Sequence, residues 1–167
     1  MAINLFQDCK RAQEDGASVN GRDQVQNWCK LPPGWIKVNI DASCRVDCDF
    51  IGASCVVRDE NGNFLWARIC RVRGRMQARE GEVRSLREAL LWIKQWRHTK
   101  CIFETDAKLV VDAVHGGRGS SNFYTIVDDC VDIIKHFEEV LVVFARRSAN
   151  KVAHLLAKAT YSMSDPT

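Results

Sequence analysis

Arg71-Val-Arg-Gly-Arg-Met-Gln-Ala-Arg-Glu-Gly-Glu82-Val-Arg-Ser-Leu-Arg-Glu-Ala-Leu90 decides the fold, because the hydrophobic period changes inside it. Upstream, Phe64 to Arg73 reads as a strand. Downstream, Glu82, Val83, Leu86, Ala89, Leu90 and Ile93 recur at helical spacing, which predicts a helix from about Ala78 to Trp96. On the strand side, Ile36, Val38 and Ile40 alternate with Lys37, Asn39 and Asp41, the pattern of a half-buried strand. Phe50 to Arg58 reads as a further strand, joined to Phe64–Arg73 through Asp59-Glu-Asn-Gly62, a hairpin signal.

On the helix side the elements alternate. Lys100 to Thr105 reads as a strand, and Asp106 to Val114 as a helix stopped by Gly116-Gly117. Asn122 to His136 is a second helix, Val140 to Ala145 a fully apolar strand, and Ser148 to Ser162 a last helix. The order is β-β-β-α-β-α-α-β-α. Crossovers through helices require parallel pairing, and right-handed crossovers limit the topologies. The expected fold is therefore α/β: a five-stranded mixed sheet in the order 3-2-1-4-5, strand 2 antiparallel to the rest, with helices on both faces.

The chain has 167 residues, enough for one domain, with 46% hydrophobic and 27% charged residues. Those values exclude disordered, collagen-like and coiled-coil classes. Residues 1–33 read as an N-terminal arm, with a short helix over Asn4–Glu14 and a polar linker over Gly16–Asp23. Residues 34–163 read as the main domain and 164–167 as a tail. Apolar runs such as Val140–Ala145 are too short for a membrane span, and the first residues lack a signal-peptide pattern. The expectation is an intracellular, nuclear or cytoplasmic protein, not secreted, that contacts no membrane and keeps its eight cysteines reduced.

Charge is unevenly spread. Between Arg71 and Arg87 six arginines face two glutamates, and between Glu104 and Glu139 eight acids face three bases. Opposed solvated faces are the ordinary outcome of such a pattern. The sharper one is an arginine-lined surface for phosphates beside acids that hold a metal.

Three carboxylates stand out. Asp41 ends the first strand pattern, and Asp106 follows the fourth. If those strands are parallel neighbours, both emerge at one edge of the sheet, where ligand sites of α/β proteins lie. A turn aspartate at 41 and a helix N-cap at 106 are the plainer alternatives. Glu82 shares a helix face with Leu86, Ala89 and Ile93, an expensive place for an unpartnered charge. Three carboxylates meeting at one site suit a hard cation such as Mg²⁺.

Four segments in order resemble the motifs of type 1 ribonuclease H domains: Lys37-Val-Asn-Ile-Asp41-Ala-Ser43, Gly81-Glu82-Val-Arg-Ser-Leu-Arg-Glu-Ala-Leu90, Phe103-Glu-Thr-Asp106, and Arg146-Arg-Ser-Ala-Asn150-Lys-Val-Ala-His154-Leu-Leu-Ala-Lys158. The resemblance runs from about Trp35 to Thr160 and is nearest to the plant branch related to non-LTR retroelement polyproteins. It implies a monomeric nuclease that cuts the RNA strand of RNA–DNA hybrids with Mg²⁺ or Mn²⁺, holding the metals on Asp41, Glu82 and Asp106. It implies hybrid recognition through phosphates and 2′-hydroxyls, for which Ser43, Arg75, Arg79, Arg84 and Asn150 are the candidates here.

Departures from the family qualify the activity. The position of its fourth carboxylate is His154, and imidazole suits Mg²⁺ poorly. The loop that carries a histidine in bacterial members reads Phe144-Ala-Arg-Arg-Ser148, and the basic insertion of some members is absent. We therefore place His154 with the catalytic candidates and expect weakened activity. The alternative is a catalytically impaired nucleic-acid-binding module of retroelement origin. A protein-interaction domain using the acidic 104–139 face is a third reading.

Overall fold

The computed structural model describes residues 30–163. The arm helix expected at Asn4–Glu14, the linker at Gly16–Asp23 and the tail at 164–167 lie outside the described residues. Five strands, β1 (Ile36–Cys44), β2 (Phe50–Arg58), β3 (Phe64–Arg73), β4 (Lys100–Thr105) and β5 (Glu139–Phe144), form one sheet in the order β3-β2-β1-β4-β5. β2 is antiparallel to both neighbours, while β1, β4 and β5 run parallel. The helices are α1 (Ala78–Gln95), α2 (Lys108–Val114), α3 (Asn122–Ile134) and α4 (Lys151–Ala159), followed by a 3₁₀ turn at Thr160–Ser162. The order and directions match the sequence expectation.

The main core lies on one face. Ile36, Val38 and Ile40 of β1 and Phe103 of β4 meet Val83, Leu86, Leu90 and Ile93 of α1, with Phe123, Ile126 and Cys130 of α3 closing the outside. Helical spacing gives α1 the continuous apolar stripe that this contact requires. Burial pushes the thiols of Cys55, Cys101 and Cys130 up to about 12, so they serve as small apolar side chains.

The other face of β1 departs from the half-buried expectation. Lys37, Asn39 and Asp41 are 8%, 4% and 1% exposed. The cause is α4, which packs across β1 and β2 and hides the polar side of the alternation. These groups tolerate burial because they are paired. Lys37 Nζ lies 2.8 Å from Glu104 Oε1, Asn39 donates to Glu104 Oε2 at 2.8 Å, and Arg58 donates to Asn39 Oδ1 at 3.0 Å. α4 comes this close because β2 carries Gly52, where a Cβ would collide with the Ala157 carbonyl and Thr160 Oγ1.

Three local expectations shift. Leu31, read as part of the arm, is buried with Trp35 and Ile102, and its N–H bonds the Glu60 carbonyl. β5 is an edge strand in which only Val142 is fully buried, since α4 covers β1 and β2 instead. α4 starts at Lys151, because Arg146–Asn150 forms turns through Ala149 N–H to Arg146 O and Asn150 N–H to Arg147 O. The hairpin at Asn61-Gly62 forms as expected: Gly62 takes φ +88°, and Asp59 Oδ1 accepts the N–H groups of Asn61 and Asn63.

Candidate active site

β1 runs on to Cys44, so Asp41 sits inside the strand, opposite Ser54, instead of ending it. β4 stops at Thr105. Parallel register pairs Asn39 with Glu104, which sets Asp41 and Asp106 level, two residues further along each chain. α2 begins only at Lys108, after Ala107, so Asp106 is not its N-cap and its carboxylate stays available. Glu82 arrives from the start of α1. Gly81 permits that approach, since a Cβ there would stand 2.6 Å from Cys44 Sγ.

The result is a cluster. One donor oxygen from each of Asp41, Glu82 and Asp106 lies within 4.8 Å of the other two. Glu82 is pushed up to about 8, first by burial and then by the charges of Asp41 and Asp106; the Ala42 amide and Arg147 oppose this. Asp41 is pushed up to about 6, first by burial, against the hydrogen bond from His154, with the Asp106 charge adding to the rise. Glu82 Oε2 is buried without a partner. A buried, partnerless carboxylate oxygen among like charges is costly unless a cation joins it. An all-oxygen donor set with one such atom fits Mg²⁺ or Mn²⁺.

Two side chains fix β1 at this point. Ser85 Oγ donates to the Asp41 carbonyl from α1, and Asn150 Nδ2 donates to the Ile40 carbonyl from the turn before α4, both at 2.8 Å. Asn150 is 1% exposed, so it does not border a nucleic acid as expected. It is a clip between β1 and the start of α4. His154, one helical turn on, places Nδ1 2.8 Å from Asp41 Oδ2. It lies beside the three converging carboxylates and is not one of that group.

The arginines divide. Arg75 and Arg79 are exposed at the start of α1. Arg75 also lines a groove of about 690 Å³ with Cys44, Arg45, Phe50, Met76 and Gln77. Ser43, half-buried, shares the Asp41 face of β1, and its carbonyl accepts the Tyr161 hydroxyl. Arg84 is partly buried, with Nε enclosed and unpartnered. Arg71 donates to the carbonyls of Thr160 and Met163, and Arg87 pairs with Asp129.

One neighbour of the cluster escaped the sequence reading. Arg147 Nε lies 3.3 Å from Asp106 Oδ2. Its position follows from register: Phe144 pairs with Thr105, so the residues just past β5 lie beside those just past β4. The signal was the Arg146-Arg147 pair directly after a strand, readable only once β4 and β5 are known to be parallel neighbours.

The family model described as reverse transcriptase-like matches residues 39–160. A curated protein of Arabidopsis thaliana, whose name makes it a candidate ribonuclease H, is 24% identical over 143 residues. That match covers 85% of this chain and 23% of the relative, so the chain spans about a quarter of that protein's length. Among solved structures, the RNase H1 of Halobacterium salinarum superposes with a TM-score of 0.70 at 15% identity, covering 77% of this chain and 98% of that one. LC11-RNase H1 in complex with an RNA/DNA hybrid gives 0.68 at 18% identity, covering 76% and 96%. At these identities the likeness establishes the fold.

Proposed function

This chain belongs to the reverse transcriptase-like family, ribonuclease H-like in fold, and from that premise we propose that it hydrolyses the RNA strand of RNA–DNA hybrids at the Asp41–Glu82–Asp106 cluster. The observation that carries the reading is the convergence of three carboxylates around a buried, unpartnered oxygen of Glu82. Asp41, Glu82 and Asp106 would hold Mg²⁺ or Mn²⁺, which when bound supplies an activated water and charge stabilisation for phosphodiester cleavage. The chain's own residues do the rest. Ser85 and Asn150 hold the backbone of β1, His154 orients the Asp41 carboxylate, and Arg75, Arg79 and Ser43 border the path of the hybrid.

The unit we assign this activity to is residues 34–163 with Leu31 packed onto it, acting as a monomer. His154 leaves the cluster one carboxylate short, so cleavage is slow, and Mg²⁺, which demands a near-ideal octahedral shell, is served less well than Mn²⁺. A second reading rests on the same His154–Asp41 contact: a binding module of retroelement origin that has lost cleavage. A cleavage assay on a hybrid with labelled RNA, in Mg²⁺ and in Mn²⁺, separates the two. The nuclease reading requires cutting that Asp106→Asn abolishes and Glu88→Gln leaves intact. Binding of the hybrid with no cutting in either ion selects the second reading.

A further inference from the structure

Arg147 stands at the mouth of the cluster in a way that invites displacement. Its side chain is 70% exposed, while the Asp106 carboxylate it meets is 14% exposed. It projects from the turn between β5 and α4, outside any regular element. The same guanidinium favours the charged form of Glu82. One long, exposed cation thus supports two of the three carboxylates without being enclosed by them.

A largely exposed ion pair contributes little, so leaving it costs little. A divalent ion among the carboxylates would repel a guanidinium held this close. Guanidinium also matches phosphate with paired donors in a fixed fork. We propose that Arg147 is a displaceable internal counter-cation: it neutralises Asp106 while the cluster holds no divalent ion, yields when the ion binds, and is thereby freed to meet a backbone phosphate of the nucleic acid. The inference rests on the metal-site reading above and adds to it a coupling. Because linkage is reciprocal, metal strengthens nucleic-acid binding and nucleic acid strengthens metal binding, both through one side chain.

Calorimetric titration of the full chain with Mn²⁺, without nucleic acid, tests the first half. Arg147→Gln should bind Mn²⁺ about two- to fivefold more tightly than the wild type, the span available to an exposed pair. Arg146→Gln, which removes the same charge one residue away, should stay near the wild type. The Arg147 Nε–H resonance should move as Mg²⁺ is added. For the second half, fluorescence anisotropy with a labelled hybrid should show that Ca²⁺ strengthens binding to the wild type and that Arg147→Gln loses this gain. The inference falls if Arg147→Gln binds Mn²⁺ no more tightly, if Arg146→Gln gains as much, or if the Ca²⁺ effect survives. Any of those results beside normal Mn²⁺ binding leaves the metal-site reading standing. No Mn²⁺ binding by any of the three proteins overturns both.

Discussion

His154 Nδ1 and Asp41 Oδ2, on elements 113 residues apart in sequence, lie 2.8 Å apart. Because Asp41 is 1% exposed and held by its backbone on both sides, the imidazole meets a carboxylate that cannot turn away. The histidine therefore touches the cluster through Asp41.

His154→Asp should restore the missing oxygen donor and raise Mg²⁺-dependent cleavage by about tenfold, within the range that neighbours of metal ligands exert. The ratio of Mn²⁺ to Mg²⁺ activity should fall with it. A variant that remains inactive in both ions, while still binding hybrid, favours the binding-module reading.

Glu82→Gln should stabilise the metal-free protein in a pH-dependent way. Glu82 is raised from the ordinary carboxyl range to about 8, so its contribution is full below about pH 4.5 and is lost as pH rises through 8. Asp41, raised to about 6, adds the same sign over a lower window. Thermal melts should show wild type and variant close together at pH 4.5 or below. By pH 8–9 the variant should be ahead by about 2 kcal/mol, since each tenfold change in proton affinity is worth roughly 1.4 kcal/mol and the neighbouring carboxylates share the effect. Added Mg²⁺ should close the gap. A gap that shrinks with rising pH contradicts the assignment.

Reversing Arg75 and Arg79 to Glu should weaken hybrid binding and reduce the salt slope by about two, one per phosphate contact. The same double change at Arg84 and Arg87, which are partly buried or paired, is the wrong control because it perturbs folding. Arg97 and Arg118, exposed and distant in the fold order, serve instead. Equal salt slopes for all three proteins would move the nucleic-acid surface elsewhere.

Gly52→Ala should destabilise the fold by about 1–3 kcal/mol, the usual cost of overpacking. The new methyl meets the Ala157 carbonyl, which α4 cannot withdraw without losing the Ser54 Oγ bond to the Ala153 carbonyl at 2.7 Å. Chemical denaturation measures it, and an unchanged midpoint would mean that α4 sits further out.

The sheet and its order were legible because β-period and helix-period segments alternate cleanly, and because chirality leaves few ways to connect them. Glu82 was legible as a carboxylate on an apolar helix face. Asn150 was singled out by its match to the last motif, which does not show that its amide is used on the Ile40 carbonyl 110 residues away. The polar face of β1 was misread for a related reason: what covers it, α4, comes last in the chain. Arg147 required the β4–β5 register, which single-strand periodicity does not contain.

The buried Lys37–Glu104–Asn39 contacts act as a registration key. Glu104 and Asn39 each lie two positions before a cluster aspartate, on adjacent strands. A slip of one residue between β1 and β4 would turn one whole set of side chains to the opposite face. It would separate Asp41 from Asp106, and it would also strand three polar groups in the interior. Apolar residues of similar volume could hold the two strands together as firmly, since buried ion pairs seldom surpass them in stability. They would not distinguish the aligned sheet from the slipped one. In a domain whose carboxylate cluster is built on two strands keeping level, these polar contacts make misalignment expensive.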